Sequence, residues 1–147
     1  MTDFVVTIHI KARPEVVWSV LANVCQWPDW TPTVERVISS GNGPLGLGSK
    51  IWIKQPRLRA AVWTISVWEP NVKFTWISRN PGISITADHT LSPLPDGTQV
   101  TLHISFQGLL SFLMGPLVGN LTKRYLHQES VGLKQASEQA QVIIPIE

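Results

Sequence analysis

The feature of this sequence that most restricts its fold is the order of its segments: short strand-like segments come first, and one long helical segment ends the chain. Residues 4–10 alternate apolar and polar side chains, which is the pattern of a half-buried strand. Pro14 followed by Glu15 is typical of a first helical turn, so a short helix should follow this strand. A second short helix fits before Val34, because Pro32 restricts the residue in front of it.

Six further segments have the composition of strands, and turn-forming residues separate them. The strands are expected at 34–39, 50–54, 59–68, 73–78, 83–91 and 99–107. Proline, asparagine and glycine at 70–71, 80–82 and 93–97 supply turns. Residues 116–141 then have the spacing of one long amphipathic helix. A meander of antiparallel strands must cover its apolar face, and this helix is the only predicted element large enough to do so.

Length and composition indicate one folded domain, 1–147, with its own core. Apolar residues make up 44% of the 147 residues and charged residues 15%, which is a folded composition. Cys25 is the single cysteine, so an internal disulfide is excluded and the cytoplasm is the expected compartment. The four histidines are scattered without the spacing of metal ligands, and we expect no metal and no other cofactor.

Charge and hydropathy exclude other classes of protein. The formal net charge of +2 is spread out, which argues against a nucleic-acid partner. Glycine and proline interrupt the most apolar stretch, 108–121, and it falls short of the ~20 residues that a spanning helix needs. The N-terminus has no pattern of a signal peptide. We therefore expect no stable insertion into a membrane, and the sequence does not predict an oligomeric state.

Several short motifs resemble those of a known superfamily. They are IHIKARPEVVW at 8–18, WPDWTP at 27–32, LPDGT at 94–98, Gly108, GLK at 132–134 and Glu138. They resemble the START-like, or SRPBCC, superfamily and, within it, the polyketide cyclase/dehydrase and lipid-transport family. The resemblance implies an α+β helix-grip fold, in which a seven-stranded antiparallel sheet wraps around a long C-terminal helix and encloses a cavity. Members bind lipids, sterols, hormones or aromatic polyketides, and some cyclise polyketides.

Strand alternation and the apolar face of the helix predict the residues that face this cavity. Seven tryptophans in so short a chain can fill the core or form aromatic walls for a ligand. The expected ligand-binding residues are Trp63, Phe74, Trp76, Ile85, Ala87, His89, Leu91, Leu121, Tyr125, Glu129 and Gly132.

Glu129 is the one charged residue near the centre of the helix's apolar face, where it needs a partner or water. Gly132 is small and leaves room beside it. His89 shares the inward parity of its strand, and Tyr125 lies one turn before Glu129. These residues predict a polar cluster of His89, Tyr125 and Glu129 in an apolar cavity. Two alternatives stay open: Glu129 can lie at the rim, and His89 can be an ordinary core histidine.

Three functions fit these features. The first is a carrier that binds a small hydrophobic molecule in the cavity. The second is a cyclase or dehydratase acting on an aromatic or polyketide substrate, with His89 and Glu129 as acid and base and Tyr125 assisting. The third is a docking module that uses the apolar segment 109–114. Its side chains Leu109, Leu110, Phe112 and Leu113 can cover the cavity, or they can touch a membrane or a protein while ligand is loaded.

Overall fold

The computed structural model describes residues 2–41 and 43–143. Its strands are β1 (Thr2–Ile10), β2 (Arg36–Ser39), β3 (Lys50–Lys54), β4 (Ala61–Glu69), β5 (Lys73–Asn80), β6 (Ile83–Leu94) and β7 (Gly97–Gln107). Its helices are α1 (Pro14–Leu21) and α2 (Met114–Ile143), with 3-10 helices at Val24–Asp29 and Ser111–Leu113. None of the helices in these two stretches is long and apolar enough to cross a membrane.

The seven strands form one antiparallel sheet in the order β1-β7-β6-β5-β4-β3-β2. Strands β2 to β7 follow each other as a meander, and β1 joins the sheet beside β7. The helix α2 packs mainly against β1 and α1. This arrangement confirms the predicted helix-grip fold, with its two short helices after the first strand and its long helix at the end.

Local sequence explains the ends of several elements. Pro14 occupies the first turn of α1, where its missing N–H costs no helical hydrogen bond. The strand β6 continues to Leu94 and β7 begins at Gly97, so the turn between them is shorter than the predicted 93–97. Gly97 is required there, because a Cβ would lie 2.1 Å from the carbonyl oxygen of Ile10. The helix α2 begins at Met114 and not at Pro116.

The core lies between the sheet, α1, the first 3-10 helix and the C-terminal half of α2. Phe74 and Leu133 are fully buried in it. Trp27 anchors the 3-10 helix in this core, because its buried Nε1 donates a hydrogen bond of 2.9 Å to the carbonyl oxygen of Leu21. Because the C-terminal half of α2 packs in this core, a space remains between the N-terminal half of α2 and the sheet.

Candidate ligand cavity

A cavity of about 210 Å³ lies between the sheet and the N-terminal half of α2. Eight of the predicted ligand-binding residues line it: Trp63, Trp76, Ile85, Ala87, His89, Leu121, Tyr125 and Glu129. Its lining is buried at one end, around His89 and Leu102, and half-buried at the other, where the β3–β4 connection meets α2. The half-buried end is the mouth of the cavity.

Three predicted residues do not line this cavity, and the reason differs for each. Phe74 is fully buried behind the lining, where its ring stacks on that of His89. Leu91 lies farther along β6, in the core. Gly132 does not leave space for a ligand, because a Cβ there would lie 2.2 Å from the carbonyl oxygen of Trp30. The small residue instead allows the chain at Trp30 to approach α2.

Trp27 lines the cavity although the sequence did not point to it. Its ring centroid lies 5.3 Å from that of Trp76 and 5.7 Å from that of His89. The strand β7 also contributes Leu102, Ile104 and Phe106, which its clean alternation of apolar residues could have identified. Trp27 carries no comparable signal, because tertiary packing of the 3-10 helix sets its position.

His89 is held in one orientation inside the cavity. Its Nδ1 lies 3.2 Å from the carbonyl oxygen of Phe74, a contact that requires Nδ1 to carry the proton and donate it. Burial lowers the pKa of His89 to about 4, so the ring is neutral at neutral pH. Its Nε2 therefore presents a lone pair to the cavity.

Glu129 lies opposite this lone pair. Its Oε1 is 3.7 Å from the His89 Nε2, and its side chain is 14% exposed. This oxygen accepts no hydrogen bond from any residue that the structure describes. Burial raises the pKa of Glu129 to about 8, so at neutral pH the carboxyl group holds its proton. Glu129 thus lies in the cavity and not at its rim.

Tyr125 lines the cavity, but its hydroxyl group points elsewhere. It donates a hydrogen bond to the carbonyl oxygen of Pro56, in the β3–β4 connection. Tyr125 therefore ties α2 to that connection at the cavity mouth. The predicted cluster of His89, Tyr125 and Glu129 is in this respect wrong: the polar groups that meet inside the cavity are His89 and Glu129.

The two neutral groups offer complementary chemistry to a bound molecule. Glu129 can donate a proton, and the His89 Nε2 can accept one. Because 3.7 Å is too long for a hydrogen bond between them, both groups are available to a third polar atom. Within residues 2–41 and 43–143, no group of three metal-ligating side chains could hold a metal ion.

Comparison with solved structures identifies the same architecture elsewhere. A START superfamily protein of Mycobacterium smegmatis superposes with a TM-score of 0.69 at 15% identity, over 97% of this chain and 99% of that one. A hypothetical protein of Helicobacter pylori gives a TM-score of 0.77 at 12% identity, over 92% and 86% of the two chains. At these identities the similarity shows the fold alone.

A third similar structure is the di-domain ARO/CYC StfQ from the steffimycin biosynthetic pathway. It matches with a TM-score of 0.66 at 15% identity, and 96% of this chain covers 50% of StfQ. Among curated proteins, no sequence matches this chain significantly.

The sequence itself also matches the profile of one family, described as polyketide cyclase/dehydrase and lipid transport, over residues 1–138. The match includes all seven strands and α2 as far as Glu138, and therefore every residue that lines the cavity. With the motifs, the fold and this match in agreement, the chain belongs to the polyketide cyclase/dehydrase and lipid transport family.

Proposed function

We propose that this protein binds a compact, uncharged, largely aromatic molecule, and that one hydroxyl or carbonyl group of this ligand lies between His89 and Glu129. One observation carries the proposal: a buried Glu129 oxygen has no hydrogen-bond partner among the described residues, in a cavity that is otherwise mainly apolar. An unpaired buried polar group costs about 1–3 kcal/mol. A ligand that supplies the missing partner recovers this free energy.

The size of the cavity supports a small ligand. An apolar cavity of ~150 Å³ is enough to hold one benzene molecule, and this cavity measures about 210 Å³. One or two fused rings therefore fit. A sterol or a long acyl chain would fit only if α2 and the β3–β4 connection separated at the mouth.

The cavity walls support an aromatic and uncharged ligand. Trp27, Trp63 and Trp76 provide large flat surfaces on which a ring can pack. Among residues 2–41 and 43–143, no lysine or arginine lines the cavity, so a ligand carboxylate would lose its hydration without gaining an ion pair with either. A phenol or a cyclic ketone is free of this penalty.

Isothermal titration calorimetry with 2-naphthol and naphthalene tests the proposal. The two probes differ only in a hydroxyl group, so the difference between their affinities measures what that group contributes. We expect 2-naphthol to bind about ten-fold more tightly, as one hydrogen bond to a buried group predicts. In Glu129→Leu this advantage should disappear while naphthalene still binds. The control Glu138→Gln, which changes a glutamate of the same helix outside the cavity lining, should retain it. If neither probe binds the wild-type protein, the proposed function is wrong.

A second candidate function is catalysis, and the proximity of a protonated Glu129 to the unprotonated His89 Nε2 favours it. In a dehydration, Glu129 would give its proton to a leaving hydroxyl group, so that the C–O bond breaks and water departs. His89 would take a proton from the neighbouring carbon, and those electrons would form the C=C bond. Proton return from His89 to Glu129 would restore both groups.

Mass spectrometry after incubation with a β-hydroxy cyclic ketone distinguishes catalysis from binding. Catalysis predicts a product lighter by one water molecule, and Glu129→Gln should abolish its formation while 2-naphthol still binds. An unchanged ketone after prolonged incubation would support binding alone.

A further inference from the structure

Large apolar side chains are exposed where β7 leads into α2. Leu109 is 89% exposed, Phe112 68% and Leu117 69%. The 3-10 helix Ser111–Leu113 runs directly into α2, so Phe112 and Leu117 are close neighbours along the chain. A cluster of such side chains on the surface marks a site of interaction.

The strand pairing places this cluster beside the cavity mouth. The β3–β4 and β5–β6 connections lie at the same end of the sheet as the end of β7. The backbone N–H of Leu110 donates a hydrogen bond of 3.0 Å to the carbonyl oxygen of Gly82 in the β5–β6 turn. The hydrogen bond from Tyr125 to Pro56 joins α2 to the β3–β4 connection.

This end of the molecule is positively charged, because the fold brings together cations that are spread out along the sequence. Residues 55–60, 79–82 and 108–124 contain no aspartate or glutamate, and they contain five exposed cationic side chains: Arg57, Arg59, Arg79, Lys123 and Arg124. The whole chain has a formal charge of +2, so the rest of it carries −3 (2 minus 5). Two carboxylates, Glu35 and Asp3, also lie at this end of the sheet. Each has a cationic or histidine neighbour: Glu35 lies 3.9 Å from Lys54, and Asp3 lies 3.0 Å from His103.

We infer that this end, which we name the mouth surface and define by Leu109, Phe112, Leu117 and the five cations, docks on the surface of an anionic lipid bilayer. Apolar side chains that enter the headgroup region and cations that meet lipid phosphates are the two contributions that hold peripheral proteins on such membranes. Charge favours this occupant over a second copy of the chain, because two mouth surfaces would repel each other.

Docking of this kind would place the cavity against the bilayer. Met114 lines the cavity, whereas Leu113 and Leu117 on the adjoining turn are exposed. A hydrophobic ligand could then pass between the membrane and the cavity without crossing water. The inference concerns the surface alone, so it does not depend on which ligand the cavity holds.

Vesicle flotation tests the inference on the full chain. Vesicles of equal parts phosphatidylglycerol and phosphatidylcholine should retain the protein, whereas vesicles of phosphatidylcholine alone should not. Leu117→Ser should weaken retention about ten-fold. Leu47→Ser is the matched control, because Leu47 is 74% exposed and lies in the β2–β3 connection at the opposite end of the sheet.

Charge variants test the second contribution. Arg59→Gln combined with Lys123→Gln should weaken retention by about five-fold for each cation removed. The control pair Lys11→Gln and Lys50→Gln removes two exposed cations from the opposite end and should have little effect. Added salt should weaken retention of the wild-type protein, since it screens the exposed charges.

Two outcomes would overturn the inference. One is a wild-type protein that anionic vesicles do not retain, or that they retain equally well after Leu117→Ser and after Leu47→Ser. The other is a dimer, seen by sedimentation without vesicles, that Leu117→Ser alone abolishes, because the surface would then bind a second copy. The affinity of Leu117→Ser for 2-naphthol separates this result from the proposed function, since that affinity should not change.

Discussion

The ring of His89 lies almost parallel to the ring of Phe74, with centroids 4.1 Å apart and an angle of 13° between the planes. The backbone carbonyl of the same Phe74 accepts the His89 Nδ1 proton. One residue thus sets both the tilt of the imidazole and its tautomer. The orientation of the His89 Nε2 toward Glu129 follows from these two contacts.

The first prediction concerns the protonation of His89. Because burial keeps its pKa near 4, the ring should stay neutral, with its proton on Nδ1, throughout the range in which an ordinary histidine titrates near 6.5. Nitrogen chemical shifts from NMR, measured during a pH titration, report the protonation of each ring nitrogen. A His89 signal that titrates near 6.5 would contradict the burial argument.

The second prediction concerns the pH dependence of stability. The pKa of Glu129 is raised from 4.5 to about 8 in the folded state, so its contribution to stability is fully present below 4.5 and is lost as the pH rises through 8. Glutamine does not titrate, so Glu129→Gln removes this loss of stability with rising pH. The free energy of unfolding of the variant, relative to wild type, should therefore rise by about 1.4 kcal/mol per pH unit between these two values.

Urea unfolding at several pH values measures this difference, and Glu138→Gln is the control. Burial alone would raise the pKa of Glu138, but hydrogen bonds from Lys134 and from the Lys11 backbone lower it. Relative to wild type, Glu138→Gln should therefore have a lower free energy of unfolding at neutral pH, and it should not become more stable than wild type at high pH. A constant difference between Glu129→Gln and wild type would show that Glu129 has an ordinary pKa.

The third prediction concerns the packing of α2. Gly132→Ala should destabilise the protein by about 2–4 kcal/mol, because its Cβ would lie 2.2 Å from the Trp30 carbonyl oxygen. A Cβ at Gly115, in the same helix, would meet no atom within 4 Å apart from its chain neighbours and the backbone of its own helix. Gly115→Ala should therefore be neutral or stabilising by up to about 1 kcal/mol. Thermal unfolding compares the two variants. Equal destabilisation would mean that Trp30 does not approach Gly132 closely.

The fourth prediction concerns Trp27. Trp27→Phe removes the indole N–H that bonds to Leu21 and leaves a buried carbonyl oxygen without that donor, which should cost about 1–3 kcal/mol. It also enlarges the cavity, so the affinity for naphthalene should change. Trp52→Phe, in β3, is the control, because Trp52 does not line the cavity. Unchanged stability and binding in Trp27→Phe would place this side chain outside the cavity wall.

Local patterns account for the parts of the structure that the sequence predicts well. Alternation along β5 and β6 identifies Trp76 and Ala87 as inward residues, and helical spacing does the same for Leu121. Alternation identifies the face of a strand but not the depth along it. Phe74 and Leu91 therefore share the inward face of their strands and still lie in the core beyond the cavity.

The features that the sequence predicts poorly depend on contacts between distant segments. The Tyr125 hydroxyl bonds to Pro56, 69 residues away, and no local pattern reveals the position of that connection. Gly132 has the small size expected of a residue beside a cavity, but the chain at Trp30 occupies the space. At both positions the residue type indicates a special contact, but the sequence does not indicate which distant residue makes it.

The pairing of β1 with β7 has a consequence for how the chain folds during synthesis. Phe4 pairs with Ile104, so β1 cannot pair with β7 until about 100 further residues have left the ribosome. The apolar face of the sheet then stays uncovered until α2 has also been synthesised. Contacts between such distant residues slow folding and prolong the exposure of apolar surface. The nascent protein should therefore depend on chaperones more than a helical bundle of equal length does.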